Sequence, residues 1–201
     1  MDFKEHLKTA WETTLQFIVP VILLTLVQMV AVTLSLGILA PVTTAGFTYS
    51  LLLALRDGRE PKIGDLFSHM RLFFPLLAFG ILAALATFFG FLLLILPGLL
   101  VIAFLIFATI YMIPLMTDRE MGLFEAIKES WKMAVSKPLG DQIVLMVLYL
   151  VIMSVGGSIP LAILFAQPLA TFLLLAVYEE RMQNGKVAIE QGPPPLPGSE
   201  V

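Results

Sequence analysis

The 201-residue chain has no cysteine, and only 13% of its residues are charged. The missing cysteine excludes disulfides and thiolate metal sites. The shortage of charge says more, because a soluble domain carries about 25% charged residues. With 59% hydrophobic residues and a mean hydropathy of +0.95, a water-soluble fold of this size has no core large enough for its apolar surface. A lipid bilayer must take it. A net charge of −3 is too small to point to nucleic acid or another polyanion. The two histidines, His6 and His69, have no ligand-type neighbours at metal-binding spacing, so no metal or cofactor is expected.

What is present is hydrophobic length. A membrane-spanning helix takes about 20 apolar residues. Six stretches qualify, at about 15–37, 39–55, 72–96, 98–116, 140–157 and 159–178. The stretch 39–55 is the shortest and contains Thr43, Thr44, Thr48, Tyr49 and Ser50, so it also admits a re-entrant or interfacial reading. The first stretch is too long for a signal-peptide core and lacks a small-residue cleavage site, so it reads as a retained helix. The stretches pair off around uncharged turns at Gly37 to Pro41, Pro97-Gly98, and Gly156-Gly157 to Pro160. Glycine closes a helix and proline starts the next without losing a needed N–H. The fold class expected is therefore all-α integral membrane, with six transmembrane helices arranged as three hairpins at 15–55, 72–116 and 140–178. They form one domain over 1–181, followed by a disordered, proline-rich tail over 182–201.

All twelve basic residues lie outside the three turns. By the positive-inside rule the termini and the long loops are cytoplasmic and the turns face out. An amphipathic segment precedes each hairpin. In the third, Leu123, Phe124, Ile127, Trp131 and Val135 recur at helical spacing, opposite Glu125, Lys128, Glu129 and Lys132. Trp11, Phe67 and Trp131 are the expected anchors at the headgroup level. Phe3, Ile63 and Leu123 stand 60 residues apart, as do Leu7, Phe67 and Ile127, which suggests a three-fold internal repeat. Such repeats would be parallel, about an axis along the membrane normal.

The apolar stretches contain no clear ionisable residue. Asp141 comes closest and reads as a carboxylate in a helix's first turn, complementing its dipole. Proton- or ion-coupled transport usually relies on such a group, so that class of function is disfavoured. The polar side chains that remain, Gln28, Thr44 and Gln167 foremost, read as interhelical hydrogen bonds or as the lining of a polar path or headgroup pocket. Gln167 precedes Pro168, where a kink is expected. No serine has a base at matching depth, so no enzyme activity is expected.

Leu96-Pro97-Gly98-Leu99, Phe107-Ala108 and the run Met121-Gly122-Leu123-Phe124-Glu125-Ala126-Ile127-Lys128-Glu129-Ser130-Trp131 carry a resemblance, together with Arg56-Asp57-Gly58-Arg59 and Gly64-Asp65-Leu66-Phe67. Over about 10–180 the chain resembles prokaryotic membrane families related to the glycerophosphoryl diester phosphodiesterase membrane domain and to YciC-like proteins. That resemblance implies a six-helix inner-membrane module, sometimes fused to a soluble phosphodiesterase. The 201 residues hold no such soluble domain, so its activity is not carried over. The function expected is a non-enzymatic module organising membrane lipids or partner proteins, with lipids, other membrane proteins or a second copy as partners. The alternatives are a channel or facilitator for ions or small neutral solutes and, third, a membrane-bound enzyme of lipid metabolism.

Overall fold

The computed structural model describes residues 3–136, 139–159 and 161–190, with side chains to residue 184. Among these residues the chain is helical with no strand. Helices α1 (Phe3–Gln16) and α2 (Ile18–Leu34) meet at Phe17 with a bend of 86°. Then come α3 (Ala40–Asp57), two 3-10 turns (Ile63–Phe67 and Met70–Leu72) and α4 (Phe73–Leu93). The remaining helices are α5 (Ile95–Thr109), α6 (Met112–Asp118), α7 (Leu123–Val135), α8 (Leu139–Gly157) and α9 (Ile163–Glu190).

Four runs are long and apolar enough to cross a membrane: Ile63–Leu93, Ile95–Asp118, Leu139–Gly157 and Ile163–Asn184. The bent pair α1–α2 makes a fifth if it counts as one span. This is the pattern of a multi-pass membrane protein. Among the six expected stretches, 39–55 is the one whose helix is not apolar enough to qualify by itself. Its helix, α3, is packed against protein, with Val42, Thr43, Ala45, Phe47, Ser50, Leu51 and Leu52 all buried. A helix surrounded by other helices needs no lipid-compatible exterior.

Three inner helices form the centre, because α3 touches both α6 and α9. Tyr111, Leu115, Phe172, Leu173 and Tyr178 fill the space between them, each almost wholly buried. Around this centre the entry segments pack in a cycle. The 3-10 turn Ile63–Phe67 lies on α3, α7 lies on α5 and α6, and α1 lies on α9. Each contact has its own polar tie. Ser50 on α3 donates to Asp65 at 2.6 Å, and the Tyr111 N–H donates to Ser130 Oγ on α7 at 3.2 Å. His6 on α1 pairs with Glu180 on α9.

The local chemistry explains these joints. Pro114 has no N–H and its ring crowds the carbonyl of Ile110, so the helix breaks between Thr109 and Met112. The break frees the Tyr111 N–H for Ser130. Gly46 is required on α3, since a Cβ there would overlap the backbone carbonyls of Asp65 and Leu66. Asp65 also accepts from the Lys62 N–H at 3.2 Å and pairs with Arg59, which pins the turn.

The reversals depart in part from the sequence expectation. Leu36 and Gly37 both take positive φ between α2 and α3, at +52° and +86°, and the Gly37 N–H donates to Val32 O at 2.8 Å. The next reversal falls at Leu94, ahead of Pro97-Gly98, and both of those residues lie inside the first turn of α5. Proline is well suited to that turn, where its missing N–H costs nothing. Gly98 lets α5 approach Gly90 and lie under the Phe91 ring. Gly157 is the last residue of α8, and the turn follows it. The second entry segment is a pair of 3-10 turns and not an α-helix. α9 runs through Pro168 as one helix and continues to Glu190, past the expected boundary at 181. The proline-rich stretch 193–197 lies outside the described residues.

Overpacking a tight crossing costs about 1–3 kcal/mol. Gly46→Val is therefore expected to lower the melting temperature of the detergent-purified protein by several degrees. Gly64→Val, where a Cβ meets nothing within 4 Å, is expected to have little effect in the same thermal melt.

Candidate functional site

Gln28 on α2, Thr44 on α3 and Gln167 on α9 come together. Gln167 Nε2 donates to Gln28 Oε1 at 2.8 Å, and Gln28 Nε2 donates to Thr44 Oγ1 at 3.3 Å. Helix α2 delivers Gln28 on the face that also buries Val21, Leu24 and Thr25. Helix α9 delivers Gln167 one residue before Pro168, and the Gln167 carbonyl accepts from the Thr171 hydroxyl at 2.9 Å. The three side chains named from sequence thus form one chain of hydrogen bonds.

They line a cavity of about 490 Å³, within the size range of ligand pockets. Phe47, Thr48, Pro114 and Leu174 form its buried wall. Ile106 and Thr109 on α5 and Tyr149 and Met153 on α8 form a partly buried wall, and Met29 on α2 is the lining residue with the most exposure, at 39%. The asymmetry follows from the packing. α2 lies on α9 and α4 lies on α3, but α8 has no comparable packing against α5 or α6. Along the seam between α5 and α8 the cavity wall is therefore made by two helices that do not pack closely on each other. No charged residue lines it.

One lining residue was not singled out from the sequence. Six threonines are buried: Thr14, Thr25, Thr43, Thr48, Thr117 and Thr171. Five of them donate their hydroxyl to the carbonyl four residues back: Thr14 to Ala10, Thr25 to Val21, Thr43 to Leu39, Thr117 to Ile113 and Thr171 to Gln167. Thr48, only 5% exposed, makes no side-chain hydrogen bond among the described residues and faces the cavity. Spacing could not reveal this, because it depends on which rotamer the cavity permits.

A second cluster closes the charged end of the inner helices. Arg56 at the end of α3 pairs with Asp118 through Nη1 at 2.7 Å and Nη2 at 3.1 Å. It also reaches Glu179 on α9 through Nε at 3.1 Å, and the same guanidinium forms a closer ion pair with that carboxylate. The Tyr178 hydroxyl donates to Asp118 Oδ2 at 2.9 Å. Arg181 stacks over the Tyr111 ring at 5.5 Å, and the Tyr111 hydroxyl donates to Gln142 Oε1 at 2.8 Å. The sequence did carry a signal for this group, since Arg56, Asp118 and Glu179 recur near each helix exit at intervals of about 60 residues.

The expected anchors lie on the entry segments, with Trp11, Phe67 and Trp131 all 40–48% exposed. Trp11 meets Phe165 edge-on at 5.4 Å, and Trp131 meets Phe104 and Phe107 at 5.6 and 5.9 Å. The chain matches no protein-family profile, no curated protein and no solved structure.

Interhelical hydrogen bonds in membrane proteins contribute about 0.6–2 kcal/mol each. A double-mutant cycle of Gln28→Leu and Gln167→Leu, read by thermal unfolding in detergent, is expected to give a coupling energy in that range. Gln28→Leu with Met133→Leu is expected to show none.

Proposed function

We propose that this protein is a non-enzymatic module of the cytoplasmic membrane that holds membrane lipid in its intramembrane cavity. The observation that carries this reading is a charge-free cavity at membrane depth, walled on one side by Gln28, Thr44 and Gln167 and on another by α5 and α8, which do not pack closely on each other. A charged solute has no partner there, and desolvating one in hydrocarbon is costly. The polar groups are amides and hydroxyls without an acid or base beside them, which favours binding over catalysis. The resemblance of the chain to inner-membrane modules belongs to the same reading.

The architecture in this proposal has six crossings as three hairpins, α2–α3, α4 with α5–α6, and α8–α9, each entered by an interfacial segment. The cyclic contacts support a three-fold repeat about an axis along the membrane normal. Each entry segment rests on the inner helix of the preceding unit, and the first unit rests on the last. The ion pairs Arg56–Asp118, Arg56–Glu179, Arg59–Asp65, Arg71–Glu120 and His6–Glu180 gather at the loop end, which the positive-inside rule makes cytoplasmic.

A second reading, a facilitator for small neutral solutes, uses the same polar wall. Against it, Tyr111 and Tyr178 are fully buried on the axis between cavity and charged end, with the Arg56 cluster beyond them.

Native mass spectrometry of the purified protein is expected to show retained lipid, and Leu174→Trp, which fills the cavity, is expected to remove it. Equal lipid retention by both proteins, with solute flux in liposomes that is lost in Gln28→Leu, would replace this reading with the facilitator. For topology, cysteines at Ile38, Leu94 and Ser158, all exposed, are expected to label from outside, and cysteines at Glu60 and Lys132 are not.

A further inference from the structure

We infer that the cavity's ligand is an uncharged, hydroxyl-headed amphiphile that enters sideways from the bilayer through the seam between α5 and α8. This rests on the lipid-holding reading and specifies its ligand.

Thr48 departs from the pattern of the buried threonines. For a threonine hydroxyl on a buried helix face a helix offers an easy remedy, the carbonyl four residues back. The other five buried threonines take that remedy. Thr48 does not: the residue is 5% exposed, and its hydroxyl keeps open surface on the cavity, with its donor and lone pairs unused by the protein among the described residues. It has company there. Gln167 donates a side-chain N–H to Gln28, while its side-chain oxygen, Oε1, makes no hydrogen bond among the described residues. Thr44 accepts from Gln28, and its own O–H has no protein acceptor among them. The lining therefore offers the hydroxyls of Thr44, Thr48 and Tyr149 and the side-chain oxygen of Gln167. A hydroxyl, which donates one hydrogen bond and accepts others, matches that set.

Charge in the head is disfavoured from both sides. No Lys, Arg or His lines the cavity to meet a phosphate, and no Asp or Glu to meet an ammonium. The remainder of the lining suits a hydrocarbon chain, with Ile106, Ile110, Ile113 and Met153 leading from the polar wall to the seam. These residues sit on helices whose outer surfaces carry exposed Phe104, Val147 and Val151, so the seam lies at hydrocarbon depth. A ligand taking this route arrives from the membrane and not from water.

The test uses the full chain in phosphatidylcholine nanodiscs and two probes with one acyl chain in common. Tritiated 1-monooleoylglycerol presents hydroxyls, and oleoyl lysophosphatidic acid adds a phosphate. Monooleoylglycerol is expected to bind saturably and at least tenfold more tightly than the lysophosphatidate. Thr48→Val, nearly isosteric, is expected to weaken monooleoylglycerol binding about five- to tenfold with an unchanged melting temperature. Leu174→Trp is expected to abolish it.

Equal or tighter binding of the lysophosphatidate would overturn the uncharged-head inference and leave lipid holding intact. So would wild-type affinity in a folded Thr48→Val protein. Retained native lipid without monooleoylglycerol binding has the same meaning. Loss of the lipid reading itself shows separately, as native lipid that Leu174→Trp does not displace.

Discussion

Arg56 is the point at which the inner helices are fastened. Its guanidinium lies at the end of α3 between Asp118 at the end of α6 and Glu179 on α9, and Tyr178 completes the shell of Asp118. A guanidinium suits this place because its planar fork can serve two carboxylates at once, which an ammonium on a flexible stem does less well. Fixing the three helix ends sets the spacing of everything further into the bundle. Tyr111 and Tyr178, with ring centroids 6.5 Å apart, fill the space between these helices, and the cavity lies among α2, α3, α5, α6, α8 and α9.

The same economy of polar groups runs through the structure. Where the helix breaks between Thr109 and Met112, Ser130 accepts the Tyr111 N–H. Where the 3-10 turn leaves donors at its start, Asp65 collects them together with Ser50 and Arg59. Buried threonines return their protons to their own helices. In hydrocarbon this bookkeeping is close to compulsory, since no water can stand in for a missing partner. Unused capacity remains at Arg59 Nε, Gln142 Nε2 and Arg181 Nε, and in the cavity Thr48, Thr44 and Gln167 keep hydrogen-bonding groups that the described residues do not use.

Much of this was legible in the sequence. Hydrophobic length and the grouping of charge gave an all-helical membrane chain, and the scarcity of polar side chains in the apolar stretches drew attention to Gln28, Thr44 and Gln167. In a bundle with few hydrogen-bonding groups, those present tend to find one another, and these three do. What was not legible depends on geometry in three dimensions. Leu94 rather than Pro97 reverses the chain, because proline is as comfortable at the start of a helix as in a turn. The polar face of α3 resembles a weak span until its neighbours are known. Thr48 reads like any other helix threonine until its rotamer and the void beside it are seen. The continuation of α9 to Glu190 was hidden by Gly185 and the polar residues around it, which read as the start of a tail.

The contact between α1 and α9 also bears on how the chain is made. Every other entry segment finds its partner already synthesised, since α3 precedes the Ile63–Phe67 turn and α6 precedes α7. α1 precedes its partner α9 in the chain and has to wait for it. At about 5–20 residues per second, α9 follows it by roughly 10–30 s. Through that interval the bend at Phe17 can lay α1 along the membrane surface, where Trp11 and its apolar neighbours are sheltered by headgroups. Closing the cycle of contacts then waits for α9, and a ribosome stalled before α9 leaves an open bundle in which α1 lacks its main partner.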